Sequence, residues 1–280
     1  MAKKGREARI SRTIAAIRKE EPSEALKRRA RGRGSARGWE TSSGASRTRA
    51  RKDKARARAE ARGTRDSPHG YHGALRVLTI GDGNLTFALA LTTLTGGDGR
   101  GVVATTNASA EANARRHGSE TKEALEACGA RVVFGVECEN LKAKAKALVS
   151  TKEGFDRVVF NFPDCGFGRV GAMSVRAQRE LLTSFFVNAP GLLKANGEMH
   201  VTLQTGAPYS LWNIEGVGMK AGVVLKTVIP FQARDFPGYQ YCRTATEDDD
   251  DDVDESHDED IECECMTYIF VKGSGAVGGA

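Results

Sequence analysis

The sequence predicts an α/β fold: a seven-stranded, mostly parallel sheet with helices on both faces and an antiparallel last strand. Three observations carry this. Strand-like runs rich in β-branched residues alternate with helix-like runs from about residue 75 to residue 231. The strand-like runs are apolar at consecutive positions, as strands covered on both faces must be. The final run, "CMTYIFVK", follows a connection without helical pattern. Parallel neighbours need a crossover and antiparallel ones do not, so this strand returns as a hairpin beside the sixth.

The elements follow in order. "LRVLTIG" reads as a first, buried strand, and "NLTFALALTTL" as the helix after it, closed by "TGGDGRG". "VVATTN" is a second strand, followed by a polar helical stretch through Ala127. "ARVVFGVEC" is a third, with Glu137 and Cys138 at its end, and "NLKAKAKALV" is its helix. "FDRVVFNFP" is a fourth strand before a long helix from Ser174 to Leu193. "GEMHVTLQT" is a fifth, "YSLWNIEGVGMKA" a helix, and "GVVLKTVIPF" a sixth. "RDFPGYQYCRT" carries no helix pattern.

Charge divides the chain into parts. Residues 1–70 hold 22 Lys/Arg against 8 Asp/Glu, whereas 12 acids and no Lys or Arg fall between Glu247 and Glu262. The first segment has few large apolar side chains to offset the entropy of ordering, so a disordered basic tail is expected over 1–70. Its Arg-rich runs suit nucleic-acid phosphates, each cation displacing a counterion, or a nuclear address. The globular domain is then 71–273, with the acidic run 245–262 a self-repelling, solvated loop inside the last hairpin and 274–280 a flexible tail. No run reaches the ~20 apolar residues that span a bilayer, and no signal-peptide core opens the chain, so no membrane association is expected. The six cysteines form no C-x-x-C pair and no His pattern completes a zinc site, so free thiols and no metal are expected.

The chemistry concentrates where strands end. Gly81 and Gly83 let the first turn bend tightly and bring backbone close to a ligand. A dinucleotide site wants a third glycine where Thr86 stands, so G-x-G here suits a dinucleotide or S-adenosylmethionine, and the turn alone leaves both open. Asn107, at the end of strand two, offers an amide to a ribose hydroxyl. "NFPD" ends strand four, and Asn161 and Asp164 there either cap the turn or do chemistry. His200, inside an apolar strand, reads as a satisfied core histidine. Tyr209 and Trp212 follow strand five and either stack on a base or pack as core. Arg176 and Arg179 meet RNA phosphates or form a solvated helix face.

"GDGNLTF", "VVFNFPDCG", "RELLTSFFVNAPGLL", "GEMHVTLQTGAPYSLWNI" and "FPGYQYCRT" occur in that order. Together they closely resemble the 25S-rRNA-type uridine-N(3) methyltransferase family, over about Leu75 to Thr244 and again in the last strand. The resemblance implies a Rossmann-like methyltransferase fold and S-adenosylmethionine as cofactor. It implies cofactor contacts from Gly81, Asp82, Gly83, Asn84, Phe87, Asn107, Glu137 and Cys138. The "NFP" run is similar to the N-P-P-aromatic loop of amino-directed methyltransferases, which implies that Asn161, Pro163 and Asp164 serve catalysis, with Tyr209 and Trp212 the candidates for holding the base. It implies a uridine in large-subunit rRNA, or its precursor, as acceptor, and a nuclear, nucleolar address. Departures stand at Asn84 and Leu85, where the family carries an acid and Phe, and at Ala108, where it carries an acid. Two other readings remain: a methyltransferase for another RNA base, and a catalytically weak RNA-binding ribosome-assembly factor. The sequence names no protein partner.

Overall fold

The computed structural model describes residues 68–149, 154–165, 172–241 and 264–273. The basic stretch 1–67, the acidic run 245–262 and residues 274–280 lie outside the described residues.

Seven strands form one sheet in the order β3-β2-β1-β4-β5-β7-β6. They are β1 (Val77–Ile80), β2 (Val102–Thr105), β3 (Arg131–Val133), β4 (Phe155–Asn161), β5 (Leu193–Gln204), β6 (Val223–Phe231) and β7 (Cys265–Lys272). The five strands from β3 to β5 pair in parallel. β7 runs antiparallel to both β5 and β6, as the lack of a helical sequence pattern in its connection predicts. The order reverses at β1, so the carboxyl ends of β1, β2 and β4 open onto one crevice, where such sheets bind ligands.

The helices are α1 (Thr86–Leu94), α2 (Ala110–His117), α3 (Glu120–Ala127), α4 (Ala145–Leu148), α5 (Ala172–Asn188) and α6 (Ile214–Lys220). Side chains alternate across the sheet. Leu78, Val158, Phe160, Met199 and Val201 face α5, whose Leu182, Phe185 and Phe186 are fully buried against them. Val77, Ala104 and Val159 face α1, where Phe87, Ala88 and Leu91 close the second layer. Burying each such side chain stabilises the fold by about 1.5–3 kcal/mol, which is why consecutive apolar positions specify two covered faces.

Several boundaries differ from the sequence reading. β3 stops after three residues, because Gly135 takes a positive φ of 64° and turns the chain. The helix expected over 140–149 is only the single turn α4. The polar stretch before Ala127 is two helices, broken at Gly118 (φ 71°). α5 ends at Asn188 and a 3-10 turn leads into β5 at Leu193, since Pro190 has no N–H to continue an α-helix. Residues 209–221 divide at Asn213, a left-handed residue whose side-chain oxygen accepts the Gly216 N–H and starts α6. A 3-10 turn, Ala233–Asp235, appears in the connection read as irregular.

Candidate active site

The first turn is built by backbone conformations that the sequence favours at only one place. Gly81 adopts φ 63°, which glycine tolerates, and its Cα lies against Phe160: an added Cβ would stand 3.0 Å from that ring. Leu85 also adopts φ 63° at the N-cap of α1 and offers no capping side chain. Asp82 replaces it. Its Oδ2 accepts the Ala88 N–H at 2.8 Å, and its own N–H donates to Thr105 O at 2.8 Å, tying the turn to β2. Burial pushes the Asp82 carboxyl up to about 6, against the pull of the Ala88, Phe87 and Leu85 N–H groups. Gly83 is different: a Cβ there would meet nothing within 4 Å.

The turn forms the floor of a solvent-open cleft of about 770 Å³ at the carboxyl ends of β1, β2 and β4. Gly81 to Asn84, Phe87, Asn107, Ala108 and Asn161 all line it. Opposite stands the loop after β6, with Tyr239, Gln240 and Tyr241. Asn84 and Thr86 fasten that loop: Asn84 Nδ2 donates to Gln240 O at 2.9 Å, and Gln240 N donates to Thr86 Oγ1 at 3.0 Å. Asn113 reaches from α2 and donates to Gly83 O at 2.6 Å. Asp82 is the one carboxylate on the cleft wall among the described residues, and its charge faces the α1 N-terminus.

β4 ends in the densest polar arrangement. Asn161 Oδ1 accepts from Thr202 Oγ1 at 2.7 Å, and Thr202 Oγ1 lies 2.9 Å from Thr267 Oγ1 on β7. The amide is thereby oriented, and its buried Nδ2 has no hydrogen-bond partner among the described residues. Phe162 follows with φ 49°, although it carries a side chain and precedes proline. Such backbone costs about 1–3 kcal/mol and persists only where its surroundings dictate it. Here its N–H donates to Thr202 O at 2.9 Å, and its ring meets Tyr241 edge-on at 5.0 Å. Gln178 of α5, 2% exposed, grips the next residues: Nε2 donates to Pro163 O at 2.7 Å and Oε1 accepts from Cys165 N at 3.1 Å.

Beyond Phe162 and Tyr241 lies a second, shallow pocket open to solvent. Pro163, Asp164, Tyr209 and Trp212 line it together with the two shared aromatics. Tyr209 and Trp212 contact at 4.9 Å between centroids, and the buried Trp212 Nε1 has no hydrogen-bond partner among the described residues. Asp164 is exposed at its rim.

Behind Asn161, the same face of β5 carries Glu198, His200 and Thr202. His200 is wholly buried, with Nδ1 2.9 Å from the Tyr71 hydroxyl and Nε2 3.3 Å from Glu198 Oε2. It is a satisfied core histidine, and burial lowers its pKa. Glu198 also meets Lys226 at 2.6 Å and Arg157 at 3.1 Å. The His200 hydrogen bond, then Lys226 and Arg157, hold its carboxyl down at about 2.

Most of the candidate residues therefore converge, and two do not. Glu137 and Cys138 lie outside both pockets. The early end of β3 is the reason: the Gly135 turn leaves Glu137 exposed and folds Cys138 into the core, where burial pushes its thiol up to about 12. Arg176 pairs with Glu180 at 2.9 Å, and Arg179 donates to Leu211 O at 2.6 Å. Sequence reasoning missed Phe162, Gln178, Asn113 and the Tyr239–Tyr241 loop. "PGYQY" was the one local signal, a turn followed by two aromatics. Among the described residues no three His, Cys, Asp or Glu are placed to hold a metal, and no helix is long and apolar enough to cross a membrane.

This strand order, with an antiparallel β7 and a glycine turn after β1, is a Rossmann-like fold. The BMT5-like family, described as rRNA (uridine-N3-)-methyltransferase BTM5-like, matches residues 78–243, and the chain belongs to it. Heavy metal-associated isoprenylated plant protein 41 of Arabidopsis thaliana is 34% identical over 169 residues, covering 59% of this chain and 32% of that protein. Ferredoxin-fold anticodon-binding domain-containing protein 1 homolog of Mus musculus is 32% identical over 188 residues, covering 62% and 28%. The chain thus spans about a third of the length of these relatives. Among solved structures, NSun6 from Pyrococcus horikoshii with SFG aligns at a TM-score of 0.44 and 13% identity, covering 70% of this chain and 47% of that one.

Proposed function

We propose that this chain is an S-adenosylmethionine-dependent methyltransferase whose acceptor is N3 of a uridine in large-subunit rRNA or its precursor. One observation carries the reading: two pockets meet at the Asn161–Phe162–Pro163 run, with a buried amide N–H there that has no partner among the described residues. A buried donor without a partner costs about 1–3 kcal/mol, so it belongs to a site that a ligand completes.

The first cleft fits the cofactor on its own terms. Gly83 leaves open the space that any side chain would fill, and Asn107 and Asn113 supply amides where a ribose would need them. Gly81, Asn84 and Phe87 complete the floor. The cofactor supplies a methyl group on a positively charged sulfur. The chain's own residues prepare the acceptor. A flipped base enters the second pocket between Tyr209, Trp212 and Tyr241, which exclude water from its faces. Uracil N3 carries a weakly acidic proton, and its lone pair is free only once that proton leaves. Asp164, at the pocket rim, takes the proton, and Asn161 Nδ2 donates to a ring carbonyl where the negative charge develops. Pro163 and the strained Phe162 fix the spacing between the two groups.

A scaffold role remains the second reading, favoured by the cleft edge at Ala108, which has no carboxylate to hold ribose hydroxyls. Calorimetry with S-adenosylmethionine separates the two, since a scaffold need not bind it. The acceptor is tested by mass spectrometry of rRNA nucleosides from cells with and without the protein. Unchanged 3-methyluridine would refute the acceptor assignment whatever the cofactor site does.

A further inference from the structure

Asn161, Thr202 and Thr267 stand in one row across three strands. Asn161 of β4 is the register partner of Thr202 of β5, and Thr202 is the partner of Thr267 of β7. Each threonine is 1% exposed, in strands whose buried positions also hold Val201, Leu203, Ile269 and Phe270. Valine has the shape of threonine without its hydroxyl, and a buried hydroxyl costs stability unless it is hydrogen-bonded. Packing alone therefore does not call for threonine at either place.

Counting protons shows what the hydroxyls do. A threonine hydroxyl has one proton, and an amide oxygen only accepts. Thr202 Oγ1 spends its proton on Asn161 Oδ1 at 2.7 Å. The 2.9 Å contact between the two hydroxyls then uses the proton of Thr267 and a lone pair of Thr202. Thr267 Oγ1 has no other hydrogen-bond partner among the described residues, so a reversed chain would strand its proton. The bonds run one way, from Thr267 to Thr202 to Asn161. They hold the amide oxygen against β5, and a turned amide would set donor against donor.

We infer that Thr202 is a positioning residue that sets the direction of the Asn161 amide, with Thr267 fixing the Thr202 hydroxyl. Neither threonine lines either pocket, so both act through Asn161, which does line the first cleft. The consequence for the reaction rests on the proposed function, in which Asn161 Nδ2 meets the developing charge.

The test compares Thr202→Val, which keeps the shape and removes the hydroxyl, with Thr202→Ser, which keeps the hydroxyl, in the full chain. The first readout needs no reaction. In protein labelled with nitrogen-15 asparagine, the side-chain amide of Asn161 is assigned by its loss in Asn161→Ala. Its signals should move and broaden in Thr202→Val, as the amide turns between two directions, and should keep their place in Thr202→Ser. Thr267→Val makes no bond to Asn161 in the parent, yet it should move the same signals, and Thr267→Ser should not. This second pair decides if Thr202→Val fails to fold. Signals that stay in place in the valine variants would overturn the inference. The second readout is single-turnover methyl transfer to rRNA from cells lacking the protein. Thr202→Val should slow it about threefold to tenfold, the worth of one neutral hydrogen bond, with calorimetric affinity for S-adenosylmethionine unchanged. Thr202→Ser should restore the rate, and in an Asn161→Ala background Thr202→Val should cost nothing further. A loss that persists in that background would also overturn the positioning role. If Asn161→Ala itself turns over at the parent rate, the catalytic reading of Asn161 falls, and the amide signals still decide what holds it.

Discussion

Replacing Asn161 by alanine separates what this residue does for the fold from what it does for the reaction. The substitution removes the acceptor for Thr202 Oγ1, a bond of 2.7 Å. A neutral buried hydrogen bond contributes about 0.5–1.5 kcal/mol net, and Thr202 keeps Thr267 Oγ1 at 2.9 Å as an alternative partner. The same change also deletes a buried N–H that has no partner among the described residues, which returns about 1–3 kcal/mol. The two terms oppose one another, so net stability should move by no more than about 1 kcal/mol, or ~2–4 °C in melting temperature for a domain of this size. Turnover is not compensated. Losing one donor to a developing oxyanion costs roughly 10²-fold in rate, about 2.7 kcal/mol of transition-state stabilisation. The assay is single-turnover methyl transfer to rRNA from cells lacking the protein, with melting curves and calorimetric cofactor binding on the same preparations. A variant that melts more than ten degrees lower, or that loses cofactor affinity in step with rate, would refute the assignment of Asn161 to the acceptor.

Gly83→Val should abolish cofactor binding while leaving the melting temperature nearly unchanged, because its side chain enters open cleft space; Gly81→Ala should do the reverse, since φ 63° and the Phe160 contact at 3.0 Å strain the fold by about 1–2 kcal/mol. Unchanged calorimetric affinity in Gly83→Val would show that the cofactor lies elsewhere. Glu198, held at about 2 against an ordinary value of 4.5, binds fewer protons folded than unfolded between those pH values. Its stabilisation is therefore present above about pH 4.5 and lost as pH falls toward 2, and Glu198→Gln should flatten that acid limb in melting temperature against pH. An equally steep limb in the variant would mean that other carboxylates set it. Removing residues 1–70, which carry 22 Lys/Arg against 8 Asp/Glu, should weaken binding to all RNAs alike and reduce the slope of log affinity against log salt. An unchanged slope would move the electrostatic contact onto the folded domain.

The sequence by itself determined the sheet, its strand sequence and the two unusual turns that line the clefts. Consecutive β-branched residues can be buried only with cover on both faces, and a connection without helical sequence pattern before β7 points to an antiparallel return. Both are local statements, so they are legible locally. The Gly81–Gly83 turn and the Asn161–Pro163 run were legible for the same reason, since glycine, asparagine and proline announce unusual backbone.

What the tertiary structure decided is which residues share a wall. Glu137 and Cys138 read as site residues if β3 runs to residue 138, and the left-handed glycine at 135 turns the chain so that neither lines the two clefts. Gln178 sits mid-helix with no local mark, yet its amide spans two loop residues that only folding brings within reach. The loop at 239–241 closes the cleft because Gln240 meets Asn84 and Thr86 more than 150 positions away. The direction of the Asn161 amide is likewise invisible along the chain. It depends on hydroxyls from β5 and β7, and hydrogen bonds between distant elements exist only once the layers have packed.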